Sequence, residues 1–345
     1  MVLLPDIITE EDYRAIYRDV STWLPAMRAI CQRHGLGEAQ LEFAPPGTHV
    51  VFKVEPELYI KLFAPPWRED FIPERLVLHK LSEQSRLPVP RVVAEGKIED
   101  WPYIIVTAVK GIPLYQVWRT ISTSDEQRIA AQCGELMSIL HSTQTEGLEA
   151  IAIDWSAFVD DRIKERFNQL GQADLGNEWT RSVMEFLENL PPLFEPGFHP
   201  VLLNADITVE HVLVSRCKCG WEITGLVDFG DSMLGHPYYD FAAPGCCITR
   251  SSPDLQRAML LAYGYSTDEL DKVLSERLMA YTMIHRFINI PDLLSLVRRG
   301  NMSALCVPRP LMERKPMTLS QFGSVVAWNS TYLRSMYIFQ RRRDE

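Results

Sequence analysis

The spacing of apolar residues changes character twice along the chain. Near the start, Thr9 followed by Glu10, Glu11 and Asp12 predicts a capped helix with acids over its first turn. Tyr13, Ile16, Tyr17 and Val20 then recur at helical spacing, and the helical segment is expected to run to about Gly35. From Leu41 short β-prone runs replace it: Leu41 to Ala44, Val50 to Val54, Leu58 to Phe63, Val89 to Gly96 and Tyr103 to Val109, separated by Pro, Gly and acidic turn residues. These runs predict one antiparallel sheet. A single helix interrupts them, roughly Glu69 to Ser85, with Leu76, Leu78 and Leu81 on its apolar face.

Beyond Gly111 the pattern reverses. Residues 125–147, 157–170, 177–190, 253–263 and 267–299 read as helices, with a strand-rich insert from Val201 to Phe229. The expectation is an α+β chain: a small N-terminal antiparallel β lobe over residues 1–110, with a helical extension over 1–40, and a larger helical C-terminal lobe over 111–345. Lys110 to Pro113 is the expected hinge, and ligands favour crevices between such lobes.

Composition narrows the function. With 345 residues, 46% apolar and 23% charged, the chain can bury a substantial core and is too apolar to stay unfolded. Its 35 basic residues against 45 acidic ones leave a net charge of −10, which argues against a nucleic-acid partner and for a small cationic substrate. Cys217 and Cys219 are one residue apart and Cys246 and Cys247 are adjacent, so neither pair has zinc-knuckle or redox spacing; reduced thiols in a cytoplasmic protein are expected. No targeting segment precedes Asp6, and no apolar run approaches the roughly 20 residues of a membrane span.

The chemistry concentrates in two stretches, Leu203 to Val214 and Leu226 to Asp231. Asp206 stands five residues before His211, and Asp228 opens an Asp-Phe-Gly triplet 22 residues after Asp206. The protein-kinase signature has the same order and the same five-residue gap between its catalytic Asp and a metal-binding Asn. In phosphoryl transfer one carboxylate orients the attacking hydroxyl while others hold Mg²⁺ against the phosphates, roles that Asp206 and Asp228 are expected to take. Both follow apolar β runs, which present carboxylates at a strand end. A hydrolase reading of paired acids has no Gly-x-Ser-x-Gly or His-Glu-x-x-His motif beside it.

The β lobe supplies the complementary half. Lys61 lies inside the apolar run Tyr59 to Phe63, where a charge is costly unless paired, and Glu74 follows thirteen residues later on the helix. A strand Lys held by a helix Glu and reaching the α and β phosphates of ATP or GTP is the kinase arrangement. Gly47 and Thr48 lie in a turn with Pro45, Pro46 and His49, and their backbone amides are candidate phosphate contacts although a single glycine is no Gly-rich loop. Thr107 and Val109, at the end of the last strand, are candidate backbone partners for a purine edge.

On these motifs the sequence resembles the aminoglycoside phosphotransferase family, small-molecule kinases with a protein-kinase-like fold. The matching stretches are Asn204-Ala205-Asp206 to His211, Asp228-Phe229-Gly230-Asp231 and Gly235-His236-Pro237-Tyr238-Tyr239-Asp240, and the similarity covers roughly residues 10–300. Within the family the nearest resemblance is to hygromycin B 7''-O-phosphotransferases, carried by Ile60 to Phe63, Leu87 to Arg91, Trp101 to Tyr103 and the segment Met279 to Phe287. The resemblance implies ATP- or GTP-dependent phosphorylation of a sugar hydroxyl, Mg²⁺ between Asp228 and His211, and a structural Asp240 that braces the catalytic loop.

Two positions depart from the family pattern. Asn204 replaces the loop His, and His211 replaces the metal-binding Asn, offering Mg²⁺ a ring nitrogen in place of an amide oxygen. Asp231, with Asp154, Asp160 and Asp161, either lines a negative cleft for an amino-sugar or forms solvated surface, and Arg341 to Arg343 read as a terminal tail. Other acceptors, namely a macrolide, a choline-like amine or an endogenous sugar, and a nucleotide-binding pseudokinase stay open.

Overall fold

Thr9 does start a helix, because its hydroxyl accepts from the Asp12 amide while the Asp12 carboxylate reaches back to the Thr9 amide. The computed structural model describes residues 2–44, 47–55, 57–82, 87–172, 177–190, 194, 197–250 and 252–288. The single N-terminal helix expected to Gly35 is two helices, α1 (Glu10–Ile16) and α2 (Val20–Arg33), since Asp19 caps a new start by accepting from the Ser21 amide. The chain divides into two compact units. The first takes in residues up to Lys110 together with Gly225–Ser232, and the second takes in Gly111–Thr224 and the described residues from Met233. The sequence-based division at residue 110 assigned Gly225–Ser232 to the helical part.

In the first unit, β1 (Leu41–Phe43), β2 (Val50–Val54), β3 (Leu58–Leu62), β4 (Val92–Ile98) and β5 (Trp101–Thr107) form one antiparallel sheet in the order β1-β2-β3-β5-β4. This matches the expected sheet. β4 begins at Val92 rather than Val89, for Pro88 and Pro90 have no amide to give a ladder. The face carrying Val50, Phe52, Ile60, Leu62 and Tyr103 packs with Tyr13, Trp23, Met27 and Ile30 of the helical pair in one core. Each large apolar side chain so buried contributes about 1.5–3 kcal/mol. Between Ile60 and Leu62 the strand alternation turns Lys61 to the opposite face. The helix expected from Glu69 is preceded by a 3-10 turn, Pro65–Asp70, in which two consecutive prolines tighten the backbone, and α3 runs over Phe71–Ser82. Residues 83–85 of the expected helix and Pro45 and Pro46 of the turn lie outside the described residues.

The second unit is built from β6 (Ile112–Pro113), α4 (Thr123–His141), α5 (Trp155–Gln172), α6 (Asn177–Glu188), β7 (Val201–Leu203), β8 (Val212–Cys217), β9 (Gly220–Leu226), β10 (Met233–Gly235), α7 (Ala242–Cys247), α8 (Pro253–Tyr263) and α9 (Lys272–Ile284), with β9 running on into the first unit. α4 and α8 cross at Gly134, where any side-chain carbon would overlap the Met259 carbonyl, so the sequence needs glycine in mid-helix. β7 pairs with β10, and β6, β8 and β9 form a second small sheet. Asp125 ties the latter to α4 by accepting from the Trp221 amide at 3.0 Å. The helix expected over 267–299 is α9, capped by Asp271, whose carboxylate accepts from the Leu274 amide; residues beyond 288, including Arg341 to Arg343, lie outside the described residues. The six described cysteines are free thiols, and among the described residues no helix is long and apolar enough to cross a membrane.

Candidate active site

Three of the residues singled out from the sequence meet in the first unit. The Lys61 ammonium, on β3, donates to Glu74 Oε2 at 3.0 Å and to Asp228 Oδ1 at 2.9 Å. Glu74, in the first turn of α3, also accepts the Phe229 amide at 2.9 Å, so one buried carboxylate holds both the lysine and the Asp-Phe-Gly segment. Asp228 sits at φ 67, the left-handed region, and its Oδ1 also accepts the Gly230 amide at 3.3 Å. A non-glycine residue held there marks a strained site that the surroundings maintain.

The electrostatics follow from burial and charge. Burial opposes the charge on Lys61, but the carboxylates of Asp228 and Glu74 outweigh it and raise the ammonium above its ordinary pKa. It stays charged throughout the pH range in which proteins are folded. Burial pushes the Glu74 carboxyl up, with Lys61 pulling against it.

Beside this centre, His49 was a bare turn residue in the sequence. The structure buries its ring against Phe63, 4.6 Å between centroids, with Nε2 3.2 Å from Asp70 Oδ2. Nothing in the local pattern announces this pairing, which joins the β1-β2 turn to the residue before α3. The Gly47 amide, a candidate phosphate contact, donates to the Tyr17 hydroxyl at 2.8 Å. The Thr107 amide donates to the Arg91 carbonyl and its hydroxyl accepts from the Arg91 amide, both at 2.9 Å. β5 ends at Thr107, two residues before Val109.

In the second unit the loop after β7 carries Asp206. Its geometry is fixed from three sides. Asp240 accepts the Asn204 and Ala205 amides at 3.0 and 2.6 Å, and His141 Nε2 lies 3.1 Å from the same carboxylate. The His285 Nε2 lies 3.0 Å from the Ala205 carbonyl, with the imidazole stacked on Tyr239. Ala205 itself has φ 64. Asn204 Oδ1 accepts the Asp206 amide at 3.1 Å, so the departure from a loop His leaves a side chain that supports the loop. His211 Nδ1 donates to the Asp206 carbonyl at 2.7 Å and lies 3.4 Å from its carboxylate. Among the described residues no group of three or more His, Cys, Asp or Glu side chains is arranged to hold a metal ion.

The acids considered for an amino-sugar cleft differ in their exposure and partners. Asp154 caps α5 by accepting the Ala157 amide, Asp161 pairs with exposed Lys164, and Asp160 is exposed. Asp231 is half-buried.

Two buried histidines, His285 and His236, are expected to make the fold acid-sensitive. Burial, then Arg286, lowers the His285 pKa to about 3, and burial, then Arg277, lowers that of His236 to about 4, against an ordinary 6.5. Both hold fewer protons folded than unfolded below pH 6.5, so stability is full above that value and is lost as pH falls. At about 1.4 kcal/mol per pH unit and proton, the pair accounts for about 5 kcal/mol between pH 6.5 and about pH 4.5. Urea unfolding at pH 7 and pH 4.5 checks this: the midpoint falls sharply at the lower pH, and an unchanged midpoint rejects it.

Comparison with known proteins agrees with this geometry. The family model described as phosphotransferase enzyme family (APH) matches residues 42–284. An aminoglycoside 3'-phosphotransferase from Escherichia coli is 24% identical over 230 residues, 63% of this chain and 78% of that protein. Among solved structures, the GDP complex of wild-type aminoglycoside 2'-phosphotransferase-IIIa superposes with a TM-score of 0.64 at 16% identity, covering 82% of this chain and 95% of that one. The streptomycin-ATP-APH(2")-IIa ternary complex gives 0.54 at 15% identity, covering 86% and 98%. These likenesses give the kinase-like α+β fold, and the family match over most of the length makes this chain a member of the phosphotransferase enzyme family.

Proposed function

We propose that the protein transfers the γ-phosphate of ATP or GTP to a hydroxyl of a small, cationic, sugar-containing molecule of the aminoglycoside class. The observation that carries this reading is the Lys61, Glu74 and Asp228 assembly, in which an ammonium buried in a strand is held by two carboxylates 13 and 167 residues away. A structural ion pair needs one acid; a second acid at a left-handed backbone position, one-third exposed, suits a group that faces a polyphosphate and its cation. Lys61 then contacts the α and β phosphates, and Glu74 fixes its direction. The related proteins bind GDP in one case and ATP with streptomycin in another, which supports a nucleotide and a polycationic acceptor here. The net charge of −10 favours the same acceptor.

Asp206 is the residue for the acceptor hydroxyl: its carboxylate orients the oxygen and takes the proton as the new P–O bond forms and the bond to the leaving nucleoside diphosphate breaks. The donor chemistry fits Mg²⁺ at Asp228, a hard oxygen ligand, and fits less well at His211, whose imidazole has one nitrogen committed to the loop. When bound, the ion neutralises phosphate charge as the bond breaks. We read the enzyme as cytoplasmic, in keeping with its free thiols.

Hygromycin B is the first acceptor to test, followed by kanamycin, streptomycin, a macrolide, choline and simple sugars. The purified chain is expected to form ADP from ATP, or GDP from GTP, only with one of these present, with the acceptor gaining one phosphate by mass. Nucleotide binding without transfer to any acceptor would instead mark a pseudokinase.

A further inference from the structure

Two hydroxyls from the N-terminal helical pair hold the turn between β1 and β2. Tyr13 and Tyr17 stand four residues apart, one helical turn, and both rings are almost fully buried. Tyr17 Oη accepts the Gly47 amide at 2.8 Å and donates to the His49 carbonyl at 3.3 Å, and Tyr13 Oη donates to the Thr48 carbonyl at 2.9 Å. Three consecutive residues of the turn are therefore pinned by two side chains more than 29 positions away. The tyrosines are themselves fixed. Trp23 Nε1 donates to the Tyr17 carbonyl at 2.9 Å, and the Tyr13 ring packs on Trp67 and Trp23 at 5.1 and 6.0 Å between centroids. On the far side of the turn the His49 ring reaches Asp70, and a side-chain carbon at Gly230 would stand 3.1 Å from Asp70 Cβ.

A glycine-rich phosphate loop works because successive amides are free to wrap an anion. Here one of those amides is spent on a phenol, and the loop has a single glycine. Its shape must come from outside.

We propose that the N-terminal extension is a brace for the phosphate-facing turn, with Tyr17 as its principal positioning residue, so that affinity for the nucleotide's phosphates depends on the α1-α2 pair. This rests on the nucleotide reading above. Burial raises the pKa of both phenols, so they remain neutral donors across the working pH range.

The test uses the full chain and titrates ATP, GTP, adenosine and guanosine into the parent, Tyr17→Phe, Tyr13→Phe and Lys61→Met. Tyr17→Phe removes one acceptor and one donor and is expected to weaken the triphosphate about tenfold while changing the nucleoside less than about twofold. Tyr13→Phe, which loses one bond, is expected to weaken it about fivefold, and it carries the test alone if Tyr17→Phe does not fold. Amide exchange at Gly47 should accelerate in Tyr17→Phe. A triphosphate affinity unchanged within about twofold, or an equal loss for triphosphate and nucleoside, overturns the brace. The nucleotide reading fails separately: in that case Lys61→Met also leaves ATP and GTP affinity unchanged.

Discussion

Asp206→Ala is expected to lower kcat by about 10³-fold while leaving nucleotide affinity within about twofold. The separation of the two effects follows from how the loop is held. Asp240 and His285 grip the backbone of Asn204 and Ala205, and Asn204 grips the Asp206 amide, so none of these struts uses the Asp206 carboxylate. Removing that carboxylate deletes the proton acceptor and keeps the loop. His211 lies 3.4 Å from it, and the shorter His211 bond, to the Asp206 carbonyl, survives the substitution. Steady-state rates with the best acceptor, and a parallel nucleotide titration, check the prediction. A variant that turns over at the parental rate removes Asp206 from the chemistry, and one that loses nucleotide affinity to the same degree as turnover shows a collapsed loop instead.

Lys61→Met is expected to do two things that can be pulled apart. It removes the cation that faces the phosphates, weakening ATP or GTP by about 10- to 100-fold, as loss of charged hydrogen bonds does. It also strands Glu74, a buried carboxylate left with the Phe229 amide, at a cost of about 3–5 kcal/mol. The second effect has a pH signature. Without Lys61 only the Phe229 amide among the named partners still pulls the Glu74 carboxyl down, so its folded pKa lies further above its unfolded one. The folded variant then binds a proton the unfolded chain releases, so the destabilisation is least below the ordinary glutamate range and grows as pH rises through the raised value. The double variant Lys61→Met, Glu74→Gln replaces the stranded charge by a neutral amide and is expected to recover most of the stability while staying defective in nucleotide binding. Chemical unfolding at pH 5 and pH 8 with nucleotide titration of both variants checks this. If the double variant regains affinity along with stability, the lysine was structural only.

The pieces of the candidate site were legible because the proposed reaction constrains short stretches of sequence. Asp206 to His211, the Asp-Phe-Gly segment and a lysine inside an apolar strand are local patterns with a chemical reason, and the sheet followed from alternation broken by Pro and Gly. What was misread belongs to the same local scale: one N-terminal helix became two because Asp19 restarts the capping, and α3 begins at Phe71 because Pro73 has no amide to bond the Glu69 carbonyl. At two candidate positions the backbone amide is already bonded within the protein. Gly47 and Thr107 offer amides on paper, yet a tyrosine and an arginine backbone take them.

Local spacing thus determined which residue types are candidates for the chemistry and which segments are strand or helix, since those depend on neighbours a few positions away. Only the tertiary structure decided who shares a proton or a charge with whom. The Lys61 to Asp228 bond spans 167 positions, His285 reaches Ala205 across 80, and the His49 to Asp70 and Tyr17 to Gly47 pairs join elements with no common motif. Such contacts follow from the crossing of buried strands and helices, where an unpaired polar group is costly, and burial is a property of the assembled core rather than of any stretch of sequence.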